Sequence, residues 1–249
     1  MTEQEIASAA AALAEAERSG TQLEALPVAP ASVTEAHAIQ DRVVALTGTP
    51  VGAFKATAPL DKEPTRGLIY AHMIRQSPAR LPTAEVPHLG VEGEVAFRFT
   101  RDLPARGTPY TREEVAEALV ALPAIEVVSS RYREPRAKPP LEQLADRNIN
   151  GALVPGAEIA DWSHLEMQSL RVTLFVNDEP VVDREGGHPT GDPLGVAVAL
   201  VNMMREGTGV KAGQLVTTGS WTGLRFLNPG DRCAVEFAGL GRAEVVFDF

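Results

Sequence analysis

Residues 91–100, VEGEVAFRFT, and residues 122–130, LPAIEVVSS, decide how this chain is read. In the first, side chains alternate with period two. A strand there carries Val91, Val95 and Phe97 on one face and Glu92 and Glu94 on the other. The second run is apolar on both faces except at Glu126, which predicts a strand buried on both sides. Working outward, VGAFKATA (51–58), LRVTLFVN (170–177), EPVVD (179–183), QLVTTGS (214–220), RCAVEFAG (232–239) and RAEVVFDF (242–249) also read as strands. Asn177-Asp178 marks one hairpin bend, and Gly239-Leu240-Gly241 a second.

Helices take the remaining periodic segments. Residues 3–19 are rich in Ala and Glu and stop at Gly20. Ser32 and Glu35 form a capping box ahead of HAIQDRVVAL, as Thr111 and Glu114 do ahead of the predicted helix REEVAEALVAL (112–122). Asp192-Pro193 opens a helix that ends at Gly207. Strands outnumber helices and hairpins recur, so the expected fold is α+β. It has a helical subdomain over residues 1–47 and a mostly antiparallel, rolled β domain over residues 48–249.

Composition narrows the function. Among 249 residues, 33 acidic groups face 23 basic ones, a formal charge of −10 that repels a phosphate backbone, so no nucleic-acid partner is expected. One cysteine, Cys233, rules out an internal disulfide framework and a cysteine-rich zinc site. No apolar run approaches the ~20 residues of a membrane span. The first residues carry glutamates and no basic leader before an apolar core, so they do not read as a signal peptide; no membrane partner is expected and the localisation predicted is cytoplasmic. A small anionic substrate would need local positive charge from a side chain or a metal.

The strand pattern supplies the candidate site. Glu92 and Glu94 share a face and repel one another unless a cation lies between them. A lone E-x-E is more often a solvated strand face, but Glu126 lies in a run too apolar to hold an unpaired carboxylate, whose burial costs several kcal/mol. Its purely structural alternative is an ion pair with Arg131 or Arg133. Three carboxylates on two strands form an all-oxygen set suited to Mg²⁺ or Mn²⁺, expected to converge within about 5 Å of one point. Lys55 sits among small apolar residues in GAFKAT and either snorkels to the surface or faces that site. Residues 217–223, TTGSWTG, read as a turn whose hydroxyls and N–H groups, Thr218 and Gly219 among them, suit a carboxylate cradle. The five histidines show no metal-ligand spacing; His88, beside the E-x-E strand, is the one to examine.

Taken in order, EAHAIQDRVV, GAFKAT, VEGEVAF, PAIEVVSSR, LADRNINGALVPG, GDPLGVAVALVN, KAGQLVTTGSWTG and PGDRCAVEFAGLG resemble the 2-oxopent-4-enoate hydratase / 4-oxalocrotonate decarboxylase branch of the fumarylacetoacetate hydrolase superfamily. The resemblance spans nearly the whole chain. It implies a rolled β-fold with N-terminal helices, a homo-oligomer, and Mg²⁺ or Mn²⁺ on Glu92, Glu94 and Glu126. Lys55 matches the family's active-site lysine and Ser220 its substrate-contacting hydroxyl. The implied activity is a hydro-lyase acting on a small 2-oxo-alkenoate of the 2-hydroxypenta-2,4-dienoate type in aromatic-compound catabolism. Alternatives are decarboxylation of a 2-oxo-enedioate, hydrolysis of a 2,4-dioxo acid, or a weakly active partner subunit. The chain departs from the family at Thr65-Arg66-Gly67, where an aspartate and an aromatic usually precede the glycine, at Asp146–Gly151, and at Trp221. Arg66 and Trp221 are therefore expected to line the pocket and set substrate size.

Overall fold

The computed structural model describes residues 1–249 and contains two sheets and five α-helices. The larger sheet runs β2 (Thr65–Tyr70), β1 (Val51–Thr57), β9 (Leu215–Ser220), β4 (Gly90–Phe99), β5 (Leu119–Val128), β6 (Asn150–Pro155), with β10 (Arg225–Phe226) on β4. The smaller runs β3 (Ala79–Pro82), β12 (Gly241–Asp248), β11 (Arg232–Phe237), β7 (Arg171–Val176), β8 (Glu179–Glu185). Pairing is antiparallel except for β1 with β9 and β3 with β12, so the sheets are mixed. Both hairpins expected from the sequence form, β7–β8 with Asn177 and Asp178 at positive φ, and β11–β12.

The larger sheet rolls until its edge strands β2 and β6 touch. The gap is bridged by residues 147–149, all three at positive φ (54°, 52° and 56°). That conformation is strained for non-glycine residues and most of all for the β-branched Ile149. Network contacts hold it: Arg147 pairs with Glu17 and lies over the Tyr70 ring, and the Ile149 carbonyl accepts from Ser129 N–H. Gly67 is required beneath this bridge, because a Cβ there would stand 2.4 Å from the Arg147 carbonyl oxygen.

Rolling gives the sheet an outside and an inside. Phe54, Leu68, Val91, Val95, Phe97, Ile125 and Val127 point outward into the main core, against the smaller sheet and the helices. The inside is narrow and holds a separate cluster of Ala53, Ile69, Ala96, Leu122, Ala124, Leu153 and Leu215.

Helices α1 (Glu3–Ser19) and α2 (Val33–Thr47) pack together and contribute Leu13, Ile39 and Val43 to the main core. Buried Gln40 ties α2 to β2. Its amide donates to the Arg66 and Leu144 carbonyls at 3.0 and 2.6 Å and accepts from Leu68 N–H at 2.9 Å. No helix is long and apolar enough to cross a membrane. The capping box at Thr111 starts α3 as expected, but α3 (Arg112–Ala116) stops early and Leu119 already belongs to β5. The ALVAL run fits either period, and its burial inside the sheet wins over helix propensity. The remaining helices are α4 (Pro140–Ala145) and α5 (Pro193–Met204).

Candidate metal centre

Register brings the carboxylates together. Glu92 lies directly opposite Glu126 across the antiparallel β4–β5 pair, and Glu94, two residues on, faces the same interior. Like charges facing each other across a ladder are destabilising without a cation between them. One oxygen from each of Glu92, Glu94 and Glu126 lies within 4.8 Å of the others. Glu94 and Glu126 are fully buried. Neither arginine proposed as a structural partner reaches Glu126: Arg131 pairs with Asp146 and Arg133 with Glu24.

Lys55 enters the same interior from β1, with Gly67 on one side and Thr217 on the other. Its Nζ lies 3.0 Å from Glu126 Oε1 and 3.4 Å from Glu92 Oε2. Burial alone would lower the lysine pKa, but Glu126, Glu92 and Glu94 outweigh it and hold the ammonium protonated. Burial raises the Glu94 carboxyl well above its ordinary range, helped by Glu126 and Glu92. Glu126 is also raised by burial, against the pull of Lys55.

Ten buried side-chain polar atoms in the protein have no hydrogen-bond partner, and five of them cluster here: Glu94 Oε1, Glu126 Oε2, Asn150 Oδ1, Thr217 Oγ1 and Ser220 Oγ. Orphans are uncommon in folded proteins, and so many in one place mark a site whose polar atoms are arranged to take a ligand. Fully ionised, the three carboxylates and Lys55 leave a charge of minus two, which a divalent cation neutralises. The oxygen donors fit a hard ion. The residues present therefore fit Mg²⁺ or Mn²⁺.

The other sequence candidates divide. Ser220 lies opposite Glu94 and faces the interior, and Gly219 N–H donates to Glu94 Oε2 at 2.7 Å. Thr218 turns away and donates its hydroxyl to the Val95 carbonyl at 2.7 Å. The expected turn is the end of strand β9, irregular at Gly219, whose φ is +120°.

Arg66 does not reach the site. It lies opposite Ala56, one residue off the Lys55–Gly67 pair, so it points to the other face of the sheet and pairs with Asp41 at 2.7 Å. Trp221 is likewise core. It is fully buried, edge-on to Phe237 and 5.6 Å from the His188 ring, with no surface for a ligand. The expectation that these two residues set substrate size is corrected by their facing. Asp61 is exposed between β1 and β2, and at the family's aspartate position Thr65 bonds the Thr57 hydroxyl at 2.7 Å. His88 accepts from Ser130 N–H and is structural.

Asn150, given no role from the sequence, donates to Glu126 Oε1 at 3.0 Å. It is delivered by the strained 147–149 bridge, and the only sequence trace is the departure in LADRNING. A cavity of about 380 Å³ lies between α1 and the 81–87 loop, lined by Glu17, His72, Arg75 and Arg131 among others. It shares no residue with the carboxylate cluster, and we assign the chemistry to the cluster because the charge and the orphaned atoms are there.

Comparison with known proteins gives a family match and a likeness of fold. A family profile described as "Fumarylacetoacetate (FAA) hydrolase C-terminal" matches residues 67–247. A 2-keto-4-pentenoate hydratase 1 from Dechloromonas aromatica (strain RCB) is 28% identical over 186 residues, covering 74% of this chain and 70% of that protein. A 4-oxalocrotonate decarboxylase from Pseudomonas putida is 27% identical over 161 residues, covering 64% of this chain and 60% of that one. The solved 4-oxalocrotonate decarboxylase of Pseudomonas putida G7 superposes with a TM-score of 0.83 complexed with calcium and acetate, and 0.82 with magnesium and adipate. Identities are 20% and 19%, with 99% of this chain and 98% of that one covered in each case, a likeness of fold.

Proposed function

The chain belongs to the fumarylacetoacetate hydrolase family, and on that premise we propose that it is a divalent-metal-dependent hydro-lyase hydrating a small 2-oxo-alkenoate of the 2-hydroxypenta-2,4-dienoate type. The single observation that carries the reading is the convergence of Glu92, Glu94 and Glu126 within 4.8 Å beside a buried lysine. These carboxylates would hold Mg²⁺ or Mn²⁺, whose Lewis acidity would polarise the substrate's 2-oxo group.

The chain's own residues account for the rest. The substrate's proton moves from the 2-hydroxyl oxygen to C5, leaving a 2-oxo-3-ene; water then adds its oxygen to C4 and a proton to C3. Lys55 Nζ is the nearest ammonium. With the three carboxylates neutralised by a bound cation, burial would be the remaining influence on its pKa and would lower it, so that the amine carries protons between water and carbon. The Ser220 hydroxyl, which has no partner within the protein, orients the substrate, while Gly219 N–H is committed to Glu94 Oε2. The apolar inner cluster excludes water from the far side.

Decarboxylation of a 2-oxo-enedioate is the second reading, and the structural likeness to the Pseudomonas decarboxylase speaks for it. Against it, the interior offers one cation. Arg66, Arg131 and Arg147 are each committed to a carboxylate elsewhere, so a second substrate carboxylate would lack a partner. We read residues 1–47 as a helical subdomain supporting a catalytic unit over 48–249, and the active form as a cytoplasmic homo-oligomer, on family likeness.

The test is a steady-state assay of the isolated protein with Mg²⁺ on the C5 dienol and on a C6 enedioate. Metal-dependent loss of dienol absorbance without CO₂ release supports hydration. CO₂ from the enedioate as the dominant activity would replace hydration by decarboxylation. No turnover of either substrate would favour the partner-subunit role.

A further inference from the structure

The segment that carries Ser220 is held from behind by a loop 30 residues away in sequence. His188 Nε2 lies 2.7 Å from the Thr218 carbonyl oxygen. Its Nδ1 is approached at 3.3 Å by the Thr190 backbone N–H, which can only donate, so Nδ1 accepts and the ring proton sits on Nε2. Burial lowers the His188 pKa and keeps the ring in this neutral state. Nε2–H therefore donates to the Thr218 carbonyl.

That carbonyl belongs to the same peptide unit as Gly219 N–H, which donates to Glu94 Oε2 at 2.7 Å. Imidazole, peptide and carboxylate thus form one line, and the peptide is planar, so fixing its oxygen fixes the direction of its N–H. Gly219 adopts φ +120°, a conformation open to glycine that puts the peptide in this orientation. A Cβ at Gly219 would stand 3.3 Å from Pro189, so the 188–189 loop packs directly on it. Arg184, near the end of strand β8 before that loop, adds a second clamp, its Nε donating to the Trp221 carbonyl at 2.9 Å. Gly219-Ser220 is therefore gripped at the carbonyls on both sides. With Oε2 taken by Gly219, Glu94 keeps Oε1 free, and Oε1 is one of the unpartnered atoms of the site.

We propose that His188 is a positioning residue: through the Thr218–Gly219 peptide it sets which oxygen of Glu94 is offered to the metal and holds Ser220 in the site. This rests on the metal-site reading of Glu94. Groups beyond the ligands that orient a ligand typically change metal affinity by about 10–100-fold when lost.

The experiment uses the full-length protein with His188→Phe, which keeps the ring volume and removes the donor, and His188→Gln, whose amide can restore it. Two quantities are read: the Mn²⁺ dissociation constant by electron paramagnetic resonance titration, and the hydrogen-exchange rate of the Gly219 amide without metal. His188→Phe is expected to weaken Mn²⁺ binding about tenfold or more and to speed Gly219 exchange, with His188→Gln recovering both to within about threefold. A purely packing role would leave Gln no better than Phe, and that result overturns the proposal. Wild-type affinity and Gly219 protection in His188→Phe would overturn it as well. If wild-type protein binds no Mn²⁺, the metal-site reading fails, whereas Gly219 exchange still reports whether His188 orients the peptide. Should His188→Phe not fold, His188→Asn replaces it, its amide being too short to reach the Thr218 carbonyl.

Discussion

The two ends of the rolled sheet's interior are made by the same strands and have opposite characters. At one end β1, β4, β5 and β9 present Ala53, Ala96, Leu122 and Leu215, with Ile69 and Leu153 completing a sealed apolar cluster. Two to four residues along, the same strands present Lys55, Glu94 and Glu92, Glu126 and Thr217. The first end satisfies every rule of a stable core. The second breaks several, with like charges facing across a ladder, five orphaned polar atoms, and a left-handed bridge at residues 147–149. An unfavourable polar end is tolerated because each strand that carries it is anchored by the apolar end. The contrast separates what folds the protein from what would bind a ligand.

Substitutions can break this contrast from either side. The largest effect is expected at Lys55, the polar end's one cation. Lys55→Ala should lower kcat by about 10²–10⁴-fold, the range for loss of a positioned acid/base group. Metal affinity should change little, since lysine is not a ligand, and Lys55→Arg should rescue poorly because guanidinium does not exchange protons near neutral pH. Wild-type kcat in Lys55→Ala would reduce the lysine to a counter-ion for Glu126.

At the apolar end, Leu122→Ala should act on stability instead. Removing a fully buried leucine typically costs about 2–5 kcal/mol, measurable by urea denaturation. Metal affinity of the folded fraction should stay near wild type. A parallel loss of metal affinity would mean that the two ends are not separable.

The smallest effect sharpens the comparison within the polar end. Burial, followed by Glu126 and Glu92, raises the Glu94 pKa above its unfolded value. A carboxyl raised on folding contributes stability below its unfolded pKa and loses it as pH climbs through the folded one. In metal-free protein, therefore, Glu94 destabilises the fold near neutral pH, and Glu94→Gln should raise Tm by a few degrees, at about 2–4 °C per kcal/mol for a chain this long. The gain should shrink as pH falls toward about 4 and vanish below it, where the wild-type carboxyl is protonated in both states. Mg²⁺ should stabilise wild-type protein and not the variant. A lower Tm for metal-free Glu94→Gln at neutral pH would place the hydrogen bond from Gly219 above charge repulsion.

Much of this was legible locally. Period-two alternation placed Glu92 and Glu94 on one face, and the apolar setting of Glu126 marked its carboxylate as needing a partner. Capping residues Ser32, Thr111 and Asp192 mark true helix starts. What escaped depends on register and distance. Arg66 and Trp221 sit one residue beside site-facing neighbours, and a one-residue step on a strand reverses facing. The parallel β1–β9 pair joins segments more than 150 residues apart, beyond any local signal. Asn150 arrives through a left-handed run that no residue type there announces, and His188 acts on a carbonyl, which sequence does not distinguish. The ALVAL run carried both periods, and the sheet decided.

The central claim is that Glu92, Glu94 and Glu126 together hold one divalent ion. Titration of Mn²⁺ into the protein, with free ion read by electron paramagnetic resonance, tests it most directly, using wild type and Glu126→Gln. One ion per chain in the wild type, with affinity lost by at least about 100-fold in Glu126→Gln, is the predicted result. Undiminished binding in Glu126→Gln, or no binding in the wild type, would contradict it.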